Sequence, residues 1–279
     1  MQSAGSWLRR AGGAIDNRFL APILVTVVLL VGDLSFGILE GYSRTVLAMV
    51  TAIATEIVLG RITYRKWPHL ASAYISGISV GMLVRSPLVW PFVIGSVLSI
   101  GSKYALRWRG RHLWNPSNFG LCALFFLAPA SVAALSIQWG NQIWPMIEVW
   151  VFGTIILWRL RRLHVCATYV AAFLLLSVVR SELTGVSWLA AIAPITGPMY
   201  QLFIFFMITD PRTTVRRTWG QCLVVVLVAV AEMFLRLGDV VYAPLYALFL
   251  VGPPALAAEI WWDGRTAPVA AKPLRASRS

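Results

Sequence analysis

Ten apolar runs, each ended by polar, Gly or Pro residues, divide the chain almost from end to end: 19–38, 45–60, 70–84, 87–105, 116–135, 143–158, 164–179, 186–209, 219–235 and 240–261. In a lipid core the backbone N–H and C=O groups have no water to bond, so runs of this kind fold as helices that satisfy their own backbone. Composition agrees. Apolar residues make up 58% of the 279 and charged residues 13%, with a mean hydropathy of +0.74, whereas a soluble domain carries roughly a quarter charged residues. The sequence predicts an all-α polytopic membrane protein of about ten transmembrane helices, with the lipid bilayer as its first partner.

The net charge of +13 could suggest nucleic acid, but the placement of the basic residues answers otherwise. With the N-terminus inside and every run crossing, only Arg44, Arg85, Arg180 and Arg236 of the 24 Lys and Arg residues fall on the outer face. That is the positive-inside pattern, and one missed crossing would scramble it. The expected topology has both termini cytoplasmic and no nucleic-acid partner. Residues 1–18 read as a basic cytoplasmic lead, 19–262 as one membrane domain, and 263–279 as a polar basic tail. The first apolar run is long enough to be a membrane helix, so no cleaved signal is expected.

Ten crossings split into five and five, about 19–135 and 143–262, and an odd number per half inverts one half against the other. The third run of each half is irregular. "LASAYISGISVGMLV" is short and holds Gly77 and Gly81, while "WLAAIAPITGPMYQLFIFFMIT" is interrupted by Pro194, Gly197 and Pro198. Such matching breaks either line a site between the halves or simply kink a helix for packing.

Two polar motifs stand at the basic side. In "SKYALRWRGRHLWNPSNFG" Asn115 has the side chain of a helix N-cap and Pro116 suits the first helical position; in "FFMITDPRTTVRR" Asp210 precedes Pro211 in the same way. The two are either ordinary caps with basic flanks or walls of an anion or cofactor site. Of the acids within the runs, Asp33 and Glu56 lie deepest, as a proton or cation site or as partners for a neighbouring helix; Glu148, Glu232 and Glu259 lie nearer helix ends. Trp67, Trp90, Trp108, Trp114, Trp139, Trp144, Trp158, Trp188, Trp219, Trp261 and Trp262 fall near run ends, as an interfacial aromatic belt. Cys122, Cys166 and Cys222 read as small core residues, and no metal site is expected from them or from His69, His112 and His164. No nucleotide-hydrolase loop, serine elbow or dinucleotide fingerprint is present, which argues against a self-contained hydrolase or dehydrogenase.

The same two motifs resemble segments of the RnfD/NqrB family, the RnfD membrane proteins of Rnf complexes and the NqrB membrane proteins of sodium-translocating NADH:quinone reductases. There a lysine precedes a Gly-rich turn and an Asn-Pro repeat, and a later Phe-Met run ends in Thr-Asp-Pro. Short stand-alone RnfD-like relatives, some associated with enediyne biosynthesis, look closer to this compact chain. The resemblance implies a fold related to urea transporters, a bacterial-type inner membrane, a role in electron transport or redox-coupled ion movement, and other membrane or redox proteins as partners. In that family a threonine of a Ser/Gly-x-Ala-Thr motif carries FMN covalently. Here the corresponding stretch, "LAPASVAALSIQWGNQI", has no threonine, so covalent FMN is not expected. A non-covalent flavin (FMN or riboflavin) or a quinone is the expectation instead, with Lys103, Arg111, His112, Asn115, Asn118, Thr209, Asp210 and Thr213 as its contacts. The alternative is a transporter or channel for a small solute or metabolite, of the same fold and with no redox role.

Overall fold

The computed structural model describes residues 41–134 and 144–266, together with isolated positions between 22 and 34. The basic lead 1–18, most of the first run, Trp139 and the tail beyond Thr266 lie outside the described residues. Every run from the second to the tenth contains a helix, the eighth in pieces that break near Gly197. In order these are α1 (Tyr42–Tyr64), α2 (Ala71–Leu83), α3 (Trp90–Ala105), α4 (Pro116–Leu127), α5 (Trp144–Leu160), α6 (Leu163–Thr184), α7 (Trp188–Ile192), α8 (Pro198–Leu202), α9 (Thr218–Leu237) and α10 (Ala243–Thr266). The last of these passes the expected end of the membrane domain at 262.

Length and apolarity together let four described helices cross a bilayer: α1, α6, α9 and the Ala243–Arg265 stretch of α10. A fifth arises if the bent pair Trp188–Thr196 and Met199–Met207 counts as one span. The chain is therefore helical and suited to a membrane. The bend of 65° lies where Pro194, Gly197 and Pro198 interrupt the eighth run. Past α7 the chain tightens into a 3-10 turn over Ala193–Thr196, and past α8 it widens into a π turn over Phe203–Met207, a form concentrated at functional sites. The third run behaves differently: α2 is short but unbroken, and its glycines serve packing. A Cβ on Gly77 would fall 2.6 Å from the Cα of Met49, so α1 and α2 meet backbone to backbone there.

The packing order repeats. Helix α1 packs on α2 and α3, and α3 on α4; helix α6 packs on α7 and α9, and α9 on α10. One core spans both sets, with Phe92, Leu121 and Leu124 from the first and Tyr169, Phe203 and Leu245 from the second all fully buried. Two pairs of two-residue strands fasten the ends. Val84–Arg85 (β1) pairs antiparallel with Ala133–Ala134 (β4), and Arg107–Trp108 (β2) with Arg111–His112 (β3).

Between α3 and α4 the approach is equally close, since a Cβ on Gly120 would stand 2.6 Å from the Gly95 carbonyl oxygen, whereas one on Gly101 meets nothing within 4 Å. Gly120→Ala should therefore cost roughly 1–3 kcal/mol through overpacking. A thermal melt of the detergent-solubilised protein checks this: its midpoint should fall well below that of Gly101→Ala, and equal midpoints would refute the close contact.

Candidate functional site

The connection from α3 to α4 is a hairpin with a two-residue turn. Arg109 and Gly110 both have positive φ, 46° and 83°, which is the backbone a type I′ turn requires. The turn sends Arg111 and His112 back beside Arg107 and Trp108. His112 Nδ1 lies 3.0 Å from the Lys103 carbonyl oxygen and so carries the proton. Asn115 then caps α4 as expected. Its Oδ1 accepts from the Asn118 backbone N–H at 3.0 Å, and Pro116 occupies the first turn, where its missing N–H costs nothing.

Asp210 is not a helix cap, contrary to the parallel drawn from its following proline. Its Oδ1 accepts from the Arg212 N–H (3.1 Å), its Oδ2 from the Thr213 hydroxyl (3.0 Å) and its carbonyl from the Thr214 hydroxyl (2.6 Å). These local bonds hold an Asx-type turn closed and compete with helix formation. Helix α9 starts only at Thr218, behind Arg217, which makes no side-chain cap. The same Oδ2 also meets the other motif: Asn115 Nδ2 donates to it at 3.2 Å across 95 residues of sequence.

Around this junction the expected site residues are brought together, and most of their polar atoms are spent on the protein itself. Arg111 pairs with Glu259 at 2.8 Å and also donates to the Thr214 carbonyl at 2.8 Å; Glu259 in turn accepts from the Arg216 N–H. Lys103 is buried in an ion pair with Glu56, whose other oxygen accepts from the Tyr104 hydroxyl at 2.9 Å. Asn118 donates to the Leu245 carbonyl (3.0 Å), and the Thr209 hydroxyl to that of Phe205 (2.7 Å). Trp114 is no belt residue. Pro253 sits inside α10 without an N–H, which leaves the Phe249 carbonyl free, and the Trp114 indole donates to it at 3.1 Å. Asp33 and Glu56, of which one is expected as a proton or cation ligand, lie apart. Asp33 bonds Tyr42 at the start of α1, and Glu56 lies 14 residues further on, about 21 Å along the helix.

Two features escape a reading of the sequence. Glu232, expected near a helix end, is 1% exposed and accepts hydrogen bonds from Tyr169, Tyr200 and Arg236. The Arg236 spaced four residues on is the available signal. Arg162, between α5 and α6, stands within electrostatic range of Asp210 and Arg111, and its Nη1 is buried with no hydrogen-bond partner among the described residues. Beside the junction lies a narrow cleft, walled by Met207, Ile208, Val224 and Leu248 and edged by Thr213 and Thr214. The space it encloses is small, about 20 Å³ or room for about one water, and its lining is mostly apolar.

No protein-family model matches the chain, and no curated protein matches it.

If Asn115 and Asp210 form one unit, a double-mutant cycle with Asn115→Ala and Asp210→Ala should show a coupling of roughly 0.5–3 kcal/mol in unfolding free energy. Additive effects would reduce the two residues to separate local caps. A pH dependence follows from His112. Burial first, then the charges of Arg107 and Lys103, hold its imidazole below the ordinary value. The unfolded chain therefore takes up the proton first as pH falls below about 6.5. The stability present above that pH is lost toward the lower folded value. Thermal midpoints between about pH 7.5 and 5.5 should fall for the native chain and fall less for His112→Gln.

Proposed function

We propose that the chain is a multi-pass inner-membrane protein of the RnfD/NqrB type, working in membrane electron transport or redox-coupled ion movement with other membrane or redox proteins. The observation that carries this reading is the hydrogen bond from Asn115 to Asp210, because it joins the two motifs on which the resemblance rests. The proposal includes ten crossings in two inverted halves, a fold related to urea transporters, and both termini in the cytoplasm. Its support is the repeated packing order, α1 on α2 and α3 with α3 on α4, matched by α6 on α7 and α9 with α9 on α10.

In this reading a flavin (FMN or riboflavin) or a quinone docks without a covalent bond on the open side of the cleft, outside the small space it encloses. Such a group would supply the one- or two-electron chemistry; the protein supplies position and electrostatics. Met207, Ile208, Val224 and Leu248 offer an apolar wall to a flat ring, and Thr213 and Thr214 offer oxygens at its edge. Lys103, Arg111 and Asn118 act on the site indirectly, since their donors are engaged with Glu56, Glu259 and the Leu245 carbonyl. The broken eighth helix favours a second reading, solute passage between the halves, since a bent helix at a repeat interface is a common transporter feature.

An absorbance and fluorescence spectrum of the gently purified protein, taken before and after denaturation and removal of free small molecules, separates the readings. A flavin spectrum that leaves on denaturation is the expected result. A protein without chromophore that carries solute flux in liposomes with no redox partner would replace the first reading with the second.

A further inference from the structure

Four cations gather at the junction, Lys103, Arg111, Arg162 and Arg212, against three carboxylates, Glu56, Asp210 and Glu259. Lys103 takes Glu56 and Arg111 takes Glu259. Asp210 already accepts from Asn115, Thr213 and the Arg212 backbone. Two guanidinium groups are left over, and that of Arg212 is exposed, whereas Arg162 is half-buried, near enough to Asp210 and Arg111 to feel both charges, with a buried Nη1 that bonds to nothing among the described residues. A buried charged donor without a partner is costly and calls for an explanation. Burial acts on the guanidinium in the same sense, pulling it below its ordinary value, and Arg111 reinforces this while Asp210 opposes it.

The backbone adds to the surplus. Arg162 is also the N-cap of the 22-residue α6 and provides no side-chain cap, so the positive end of that helix begins at the same residue. We propose that Arg162, with the α6 N-terminus behind it, binds a phosphate group at the edge of the Asn115–Asp210 junction. A guanidinium presents paired donors that match phosphate oxygens, and the group would complete the charge balance of the cluster. The phosphate belongs either to a soluble phosphate monoester such as the tail of FMN or to an anionic phospholipid headgroup; both present the same oxygens.

The flavin arm of this inference rests on the proposed function, and the test keeps the two apart. Purified full-length protein is titrated with FMN and with riboflavin, which differ by the phosphate alone. In parallel, retention of phosphatidylglycerol over phosphatidylcholine is read by native mass spectrometry. Arg162→Gln is compared with Arg162→Lys, which keeps the charge, and both are checked for monodispersity. The expected result for a soluble phosphate is FMN bound about ten-fold or more tightly than riboflavin by the native protein. Arg162→Gln should lose that preference with riboflavin binding unchanged, and Arg162→Lys should keep part of it. For a lipid source, phosphatidylglycerol retention should drop in Arg162→Gln instead. Retention that depends on Arg162 while neither flavin binds would sustain the phosphate site and sink the flavin reading. Equal FMN and riboflavin affinities, with lipid retention unchanged by Arg162→Gln, would overturn the phosphate site and leave the flavin reading standing.

Discussion

A backbone carbonyl inside an apolar bundle has to find a donor, and the side chains that supply those donors determine how this protein is assembled. Places where a helix breaks expose carbonyls, and several of these have a named partner among the described residues. The Phe249 carbonyl, freed by Pro253, takes the Trp114 indole. The Ile195 carbonyl, within the broken eighth run, takes Gln201, whose own oxygen accepts from the Trp150 indole. Arg180 reaches the Ala191 carbonyl at the end of α7, and Arg44 reaches those of Ser86 and Pro87 beyond α2. An unsatisfied group in such a setting costs several kcal/mol. Where the donor comes from a distant segment of chain, as Trp114 and Arg44 do, the break also acts as a fastener.

This explains what can be read in the sequence and what cannot. Helix positions follow from local rules: the apolar runs, the Asn115 cap with Pro116, and the Pro194–Gly197–Pro198 interruption each depend on a few neighbouring residues. Partners across the bundle do not. Nothing local distinguishes Trp114 from the other tryptophans near run ends; its role depends on a proline 139 residues away. Asp210 departs from its expected role for a related reason. An Asp before a Pro suits a cap, but two threonines within four residues bond it into a turn first. Arg162 looks like one more positive-inside residue, and its surplus becomes visible only once Glu56 and Glu259 are seen to be taken by other cations.

The depth of the acids shows the same limit. Counting along its own run puts Glu232 near a helix end, where Arg236 and Asp239 follow closely. Its burial is decided elsewhere, by Tyr169 on α6 and Tyr200 on α8 closing over it. Sequence position gives height along one helix, whereas exposure also depends on which neighbours turn toward that height.

Two of the buried carboxylates, Glu56 and Glu232, occupy related places in the packing order. Glu56 lies between α1 and α3, held by Lys103 and Tyr104 of α3; Glu232 lies between α9 and α6, held by Arg236 of α9 and Tyr169 of α6. In each case one carboxylate, one cation and tyrosine hydroxyls join the first helix of a packing set to the third. A buried ion pair of this kind rarely adds much net stability over an apolar contact, and removing one member alone is costly because it strands the other. Between α1 and α3 the ion pair itself fixes the register of two apolar helices, whereas between α9 and α6 the Tyr169 hydroxyl does so, because Arg236 shares a helix with Glu232. In the proposed inverted arrangement, the same device would pin the inner end of one half and the outer end of the other. The Asn115–Asp210 bond then joins two sets of helices that are each internally locked, and a ligand at that junction would meet two rigid walls.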